Sequence, residues 1–225
     1  MAFQLNKVFS NGMVFQRYSP IRIFGHGSDG EVVYALFNGV LKNAEIKEGK
    51  FMIEFDSMGE TIGLSLMCYS NDKMVILNDI CIGEVFLGAG QSNMEFLLKY
   101  DKSFNKNEVF PDDHYIRYFD VFKKTYKERD TIKELKNEYN CRRKADNIND
   151  LQHFSAVSYY FLKKIKEILK VPVAVIGCNY GGSSASSWIP ESEIRKHKNL
   201  KVYLDEYESI NKKLDLEAYK KSFID

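Results

Sequence analysis

Several features are missing from this sequence, and each absence narrows what the chain does. No apolar run approaches the roughly 18 residues needed to cross a bilayer, so no helical membrane span is expected. The opening MAFQLNKVFS has no apolar core of the signal-peptide kind. The expectation leaves two localisations open: cytoplasmic, or exported with the signal removed. No basic block stands apart from acidic neighbours, and 32 Lys and Arg against 31 Asp and Glu leave a net charge of +1. That balance argues against nucleic acid as a partner. Cys68, Cys81, Cys141 and Cys178 form no Cys-x-x-Cys pair, and His26, His114, His153 and His197 have no ligand spacing with them or with each other. No metal and no cofactor are expected. Cys81 and Cys178 lie in apolar, strand-like runs and read as buried free thiols.

What is present is an ordinary globular composition, 44% hydrophobic and 28% charged over 225 residues. That length accommodates one large domain or two small ones. The hydrophobic pattern divides it at about residue 78. Residues 1–78 read as short strands between turns, such as Ile21-Arg22-Ile23-Phe24 and Phe51-Met52-Ile53-Glu54-Phe55. Asn11-Gly12, Asn38-Gly39, Glu48-Gly49 and Asn71-Asp72 supply the hairpin signals. This half predicts a small antiparallel β-sandwich-like domain.

From residue 79 to 225 the pattern is α/β. Apolar strands are expected at Ile80–Leu87, Tyr115–Phe122 and Val171–Gly177. A helix whose apolar stripe is Phe154, Val157, Phe161, Ile165 and Ile168 must end before Pro172. Strands alternating with helices, apolar on both faces, predict a parallel sheet. Residues 123–150 are polar and loop-rich. Residues 191–222 read as charged helix, with Tyr203, Tyr207, Ile210 and Leu214 as a stripe of core contacts.

Two of the expected strands run into loops of small residues, Gly88-Ala89-Gly90-Gln91-Ser92 and Asn179-Tyr180-Gly181-Gly182-Ser183. A parallel sheet puts both at its carboxyl edge, where ligands of open α/β sheets bind. Glycines there let backbone N–H groups approach an anion or an oxyanion. Ser92 and Glu95 also form an S-x-x-E capping box. On residues alone, Ser92 reads as well as a helix cap as it does as a nucleophile. The stretch fails the dinucleotide fingerprint at Asn93 and the G-x-S-x-G elbow at Met94, and no G-K-[ST] follows.

The block Ile82-Gly83-Glu84-Val85-Phe86-Leu87 through Gly90-Gln91-Ser92-Asn93-Met94-Glu95 resembles the nucleophile block of sialate O-acetylesterases, carbohydrate esterases of the SGNH-hydrolase superfamily. Val8–Arg17 resembles the opening of that family's N-terminal β-domain. Phe154–Phe161 resembles the helix before its second catalytic block, and Val171–Trp188 resembles that block itself. The resemblance runs in order from residue 8 to about 190. It implies a partial SGNH, flavodoxin-like parallel α/β domain over 79–225, after the β-domain of 1–78. It implies Ser92 as the nucleophile of an acyl-enzyme mechanism on acetylated sugars or sialic acids. It also implies an oxyanion hole from the N–H of Ser92 with Gly181 or Gly182, and contacts to substrate from Gln91, Asn93 and Trp188.

The family's remaining blocks are missing: no Q-G-E-x-N-like stretch occurs in this sequence, and no Asp-x-x-His follows Trp188. A serine hydroxyl is a poor nucleophile without a base, and none of the histidines falls at a family position. The expectation is an esterase front part, incomplete or inactive by itself. The alternative is a catalytically inactive carbohydrate-binding or interaction module. A short parallel sheet is also expected to leave an open edge for self-association.

Overall fold

The structure is a computed structural model that describes residues 2–104, 114–121, 123 and 142–213. The chain forms two compact units, Met1–Gly181 and Gly182–Asp225. In the first unit the strands are β1 (Gln4–Leu5), β2 (Val14–Gln16), β3 (Ile21–His26), β4 (Val32–Phe37), β5 (Val40–Glu45), β6 (Lys50–Phe55), β7 (Thr61–Tyr69), β8 (Met74–Gly90), β9 (Ile116–Asp120), β10 (Arg142–Lys144) and β11 (Val173–Asn179). Its helices are α1 (Ser92–Glu95), α2 (Ile148–Leu151) and α3 (Ala156–Leu169).

Among the described residues the strands make two sheets. One has three strands in the order β1-β3-β6. The other has eight, in the order β10-β9-β11-β8-β7-β4-β5 with β2 also paired to β8. Strict alternation explains the half-buried strands: in β6, Phe51, Ile53 and Phe55 face inward while Lys50, Met52 and Glu54 face solvent. Asn38 and Gly39, at φ 47° and 76°, make the primed turn that joins β4 to β5. Asn11-Gly12 makes no hairpin. It is a turn docked on β8, where the Asn11 side-chain oxygen accepts the N–H of Asn78 at 2.8 Å. Phe3, Ile23, Val33, Phe37, Ile53, Leu66 and Ile80 belong to the sandwich-like core of this β part.

β8 is 17 residues long. Its first half pairs antiparallel with β7, and its second half pairs parallel with β11, Val173 opposite Glu84 through Asn179 opposite Gly90. β9 lies parallel on the far side of β11, Val173 opposite Ile116. The three parallel strands thus end together at one edge. β10 pairs antiparallel to β9 and covers its outer side. Where the β part meets the parallel strands, Arg17 Nε donates to Glu84 at 2.7 Å and Gln16 Nε2 donates to it at 2.9 Å. The Gln16 side-chain oxygen Oε1 accepts the Val85 N–H at 2.9 Å. Hydrogen bonds from Gln16 and Arg17 hold the Glu84 carboxyl below its ordinary value.

α3 starts at the carboxyl edge and returns the chain to the amino edge before β11. Ser155 caps it by accepting the Ser158 N–H at 3.2 Å, and Lys170 closes it in the left-handed conformation, ahead of Pro172. Its buried face is Ala156, Ser158, Tyr159 and Leu162. The expected stripe is therefore displaced: Val157, Phe161 and Ile168 are exposed. Apolar residues surround this helix on several sides, so spacing alone does not choose its inner face, and the smaller Ala156 and Ser158 let it approach the sheet.

The second unit holds α4 (Glu191–Lys196) and α5 (Lys198–Lys213). α5 has no buried residue: Tyr203, Tyr207 and Ile210 are exposed, against the expectation of a core stripe, and Leu214 lies outside the described residues. The polar stretch 123–150 falls largely outside them as well, as does Cys141. No described helix is long and apolar enough to cross a membrane.

Candidate active site

β8 delivers its chain end to the carboxyl edge at Gly90, and α1 begins two residues later at Ser92. The glycines before Ser92 have a packing reason. A Cβ on Gly88 would lie 2.9 Å from Val175 Cγ1 and 3.2 Å from Ser158 Oγ, and one on Gly90 would lie 3.1 Å from Met94 Cβ. Met94 is thus seated on the end of its own strand. The hydroxyls of Ser155 and Ser158 reach its Sδ at 3.7 and 3.6 Å. This seat folds the chain back and fixes the turn that carries Ser92.

The capping box does not form. Ser92 is the first helical residue rather than the cap; Gln91 holds the cap position and makes no side-chain cap bond. Glu95, whose own N–H already bonds the Gln91 carbonyl at 3.0 Å, sends its carboxylate elsewhere. One oxygen accepts the N–H of Gly181, in the loop after β11, and the other pairs with the Lys123 ammonium, which follows β9. α1 is only one turn long, so tertiary partners outcompete the local one. Ser92, Gln91 and Asn93 are exposed, and no described residue hydrogen-bonds the Ser92 hydroxyl.

The two small-residue loops do meet within the first unit. Tyr180 N–H donates to the Gly90 carbonyl at 3.0 Å. A Cβ on Gly181 would lie 2.7 Å from a Glu95 carboxylate oxygen, the far end of a flexible side chain, and in ordinary contact with Ser92 Cα at 3.6 Å, so the two turns lie close together. The Gly181 N–H itself is occupied by Glu95 in this conformation. Lys123 Nζ lies 5.6 Å from the centre of the half-exposed Tyr180 ring, and burial pushes its pKa below the ordinary lysine value. Nothing in the sequence marks Lys123 except its place just after a parallel strand. Glu95 draws attention only as a capping partner.

Gly182 and Trp188 belong to the second unit. Gly182 has φ 76°, and Trp188 is 39% exposed with its indole N–H donated to Ser183 Oγ at 2.9 Å.

All four histidines are described, and none hydrogen-bonds Ser92. His114 Nδ1 lies 2.5 Å from Asp146, a charge-relay-like pair, but at the wrong edge. Ile116 is level with Glu84, six residues before the end of β8 at Gly90, which puts the pair roughly 20 Å from the Ser92 turn. His153 Nδ1 lies 2.8 Å from the Asn149 carbonyl, in the loop before α3. No group of three or more His, Cys, Asp or Glu among the described residues is arranged to hold a metal.

The architecture is that of an α/β esterase-like fold, a mixed sheet with a serine turn at its carboxyl edge, preceded by an antiparallel β part. Among solved structures, the chain is similar to a carbohydrate acetylesterase from Xanthomonas citri, with a TM-score of 0.75 and 21% sequence identity. The likeness covers 84% of this chain and 43% of that one, so the chain spans less than half the length of this neighbour. No protein-family model matches the sequence, and no curated protein does.

Proposed function

We propose that the first unit carries a serine esterase site for O-acetylated carbohydrates, with Ser92 as the nucleophile. The observation that carries this reading is the position of Ser92: an exposed residue just past the end of a parallel strand, close enough to the loop after β11 that a Cβ on Gly181 would lie 3.6 Å from its Cα. The fold's likeness to a protein described as a carbohydrate acetylesterase supports the same reaction class. The resemblance of Gly90–Glu95 to sialate O-acetylesterases makes O-acetylated sialic acid the first sugar to test.

In the proposed reaction Ser92 Oγ attacks the acetyl carbonyl carbon while its proton passes to a base. The carbonyl oxygen becomes an oxyanion, met by the Ser92 N–H. Collapse expels the sugar hydroxyl, which takes the proton, and leaves acetyl-Ser92. Water then releases acetate and restores the serine. Gly181 becomes a second oxyanion donor only if Glu95 releases its N–H. Gln91 and Asn93 flank the nucleophile as candidate substrate contacts, while Gly182 and Trp188 keep their sequence-based assignment alone.

The test is hydrolysis of p-nitrophenyl acetate and of O-acetylated sialic acid, with fluorophosphonate labelling mapped by mass spectrometry. Label on Ser92, and loss of both label and hydrolysis in Ser92→Ala, is the expected result. Hydrolysis that survives Ser92→Ala overturns the assignment. The second reading, a sugar-binding module without turnover, is motivated by the Ser92 hydroxyl, which no described residue hydrogen-bonds. It predicts saturable sugar binding with Ser92 unlabelled.

A further inference from the structure

The three parallel strands release their chains at one edge, and one side chain meets the outlets of all three. Glu95 stands in α1, just after β8. Its carboxylate accepts the N–H of Gly181, two residues beyond β11, and pairs with Lys123, three residues beyond β9. Lys123 in turn lies over the ring of Tyr180, next to Gly181. Both Lys123 and Glu95 have side chains about one-third exposed, at 36% and 33%, so the pair is only partly shielded from water. Ser92 is one helical turn from Glu95, and its Cα is the second backbone or side-chain group that a Cβ on Gly181 would meet.

We propose that Glu95 is a positioning residue of the Ser92 site. It locks the nucleophile turn to the loop after β11 through the Gly181 N–H, with Lys123 clamping the carboxylate. The role in reactivity rests on the reading of Ser92 as nucleophile; the lock itself does not. Sequence logic assigns Glu95 to a local cap, which would leave the two loops independent. The observed contacts make the spacing between Ser92 and the Gly181 loop depend on a single carboxylate. A charge-assisted bond to a backbone N–H is also stronger than a neutral one, so the lock is stiffer than the Tyr180-to-Gly90 bond beside it.

The experiment is amide hydrogen exchange on the full chain, followed by NMR at Gly181, in wild type, Glu95→Ala, Glu95→Gln and Lys123→Met. Loss of a hydrogen bond to a charged group predicts Gly181 exchange roughly tenfold faster or more in Glu95→Ala. Glu95→Gln keeps a side-chain carbonyl acceptor and should retain most of the protection, a rescue that a mere packing role would not give. Lys123→Met should fall between wild type and Glu95→Ala. Unchanged Gly181 exchange in Glu95→Ala overturns the proposal, as does equal exchange in the Ala and Gln variants. If Glu95→Ala does not fold, Glu95→Gln and Lys123→Met decide: faster exchange in Lys123→Met than in Glu95→Gln supports the clamp, and wild-type exchange in Lys123→Met refutes it.

Fluorophosphonate labelling of Ser92 is the second readout. It should change in the same order, with Glu95→Ala furthest from wild type, and an equal rate in wild type and Glu95→Ala also overturns the proposal. A wild-type chain never labelled at Ser92 refutes the nucleophile reading instead, and exchange at Gly181 still decides the lock.

Discussion

Arg117, fully buried on β9, holds Asp79 of β8 with both terminal guanidinium nitrogens, at 3.0 and 3.2 Å. Lys144 of β10 joins the same carboxylate. The Arg117 Nε has no hydrogen-bond partner, so Asp79 is the anion that offsets a charge taken out of water. Asp79 sits at φ 58°, a conformation Asn also tolerates, so Asp79→Asn removes the charge without straining the backbone. Leaving a buried guanidinium uncompensated should cost on the order of 3 kcal/mol, read from urea unfolding at neutral pH. A loss too small to measure would show that the strand pairing, not the ion pair, holds these strands together.

The same residue sets a pH dependence. Burial opposes the charge on Asp79, but hydrogen bonds from Lys144 and Arg117 and their positive charge outweigh it, and its pKa lies below the ordinary aspartate value. A lowered folded-state pKa stabilises the protein above the unfolded value of about 3.9 and loses that effect as pH falls through the folded value. The stability gap between wild type and Asp79→Asn should therefore be constant near neutrality and narrow below about pH 4. A gap that widens in acid would contradict the sign.

The glycines of β8 rank by what their missing Cβ would strike. At Gly83 it would lie 2.0 Å from the Pro172 carbonyl oxygen, which accepts the Glu84 N–H, so Gly83→Ala must break the backbone pairing there. At Gly88 the obstacle is the branched, buried Val175 at 2.9 Å, and overpacking of that kind costs about 1–3 kcal/mol. At Gly90 the obstacle is Met94 Cβ at 3.1 Å, in a partly exposed turn that is freer to give. Thermal melts should rank the losses Gly83→Ala, then Gly88→Ala, then Gly90→Ala. Gly90→Ala as the most damaging change would mean that backbone approach, not packing, governs the turn.

Cysteine chemistry separates the buried thiols from the rest. Burial pushes the Cys68 thiol up to about 12 and raises Cys81 as well, and both side chains are fully inside. Cys178 is only partly buried. Maleimide labelling of the folded protein, mapped by peptide mass spectrometry, should leave Cys68 and Cys81 unmodified until denaturant is added, while Cys178 reacts earlier. Early label on Cys68 would show that the β core opens locally.

Much of the fold is legible where one physical signal acts alone. Asn38-Gly39 has no competing reading, because only a primed turn suits two residues with positive φ between alternating strands. The parallel strands are equally readable from their apolar runs, and two of them, β8 and β11, run into glycine loops. The face of α3 is not: Phe161 and Leu162 are both apolar, and the choice between them is made by Ser158 and Ala156, whose small size lets the helix approach. The site divides the same way. The place of Ser92 follows from strand order, whereas the partners of Glu95 come from chain 28 and 86 residues further on and leave no local trace.

No described residue hydrogen-bonds the Ser92 hydroxyl, and under the proposed reaction this makes a prediction of its own. With no histidine hydrogen-bonded to Ser92, the 225-residue chain should turn over p-nitrophenyl acetate very slowly. Imidazole added to the buffer can take the serine proton in place of a side chain. It should accelerate acylation of wild type beyond its effect on Ser92→Ala, whose rate corrects for hydrolysis by imidazole itself. A fast wild-type rate with no added effect of imidazole would mean that the chain supplies its own base. His153 would then be the first side chain to replace. A carbonyl can only accept, so the 2.8 Å contact with Asn149 puts a proton on Nδ1, and Nε2 is the atom through which the ring would have to act as a base. His153→Gln would abolish that fast rate, whereas its persistence would exclude His153 and return the search to groups outside the described residues.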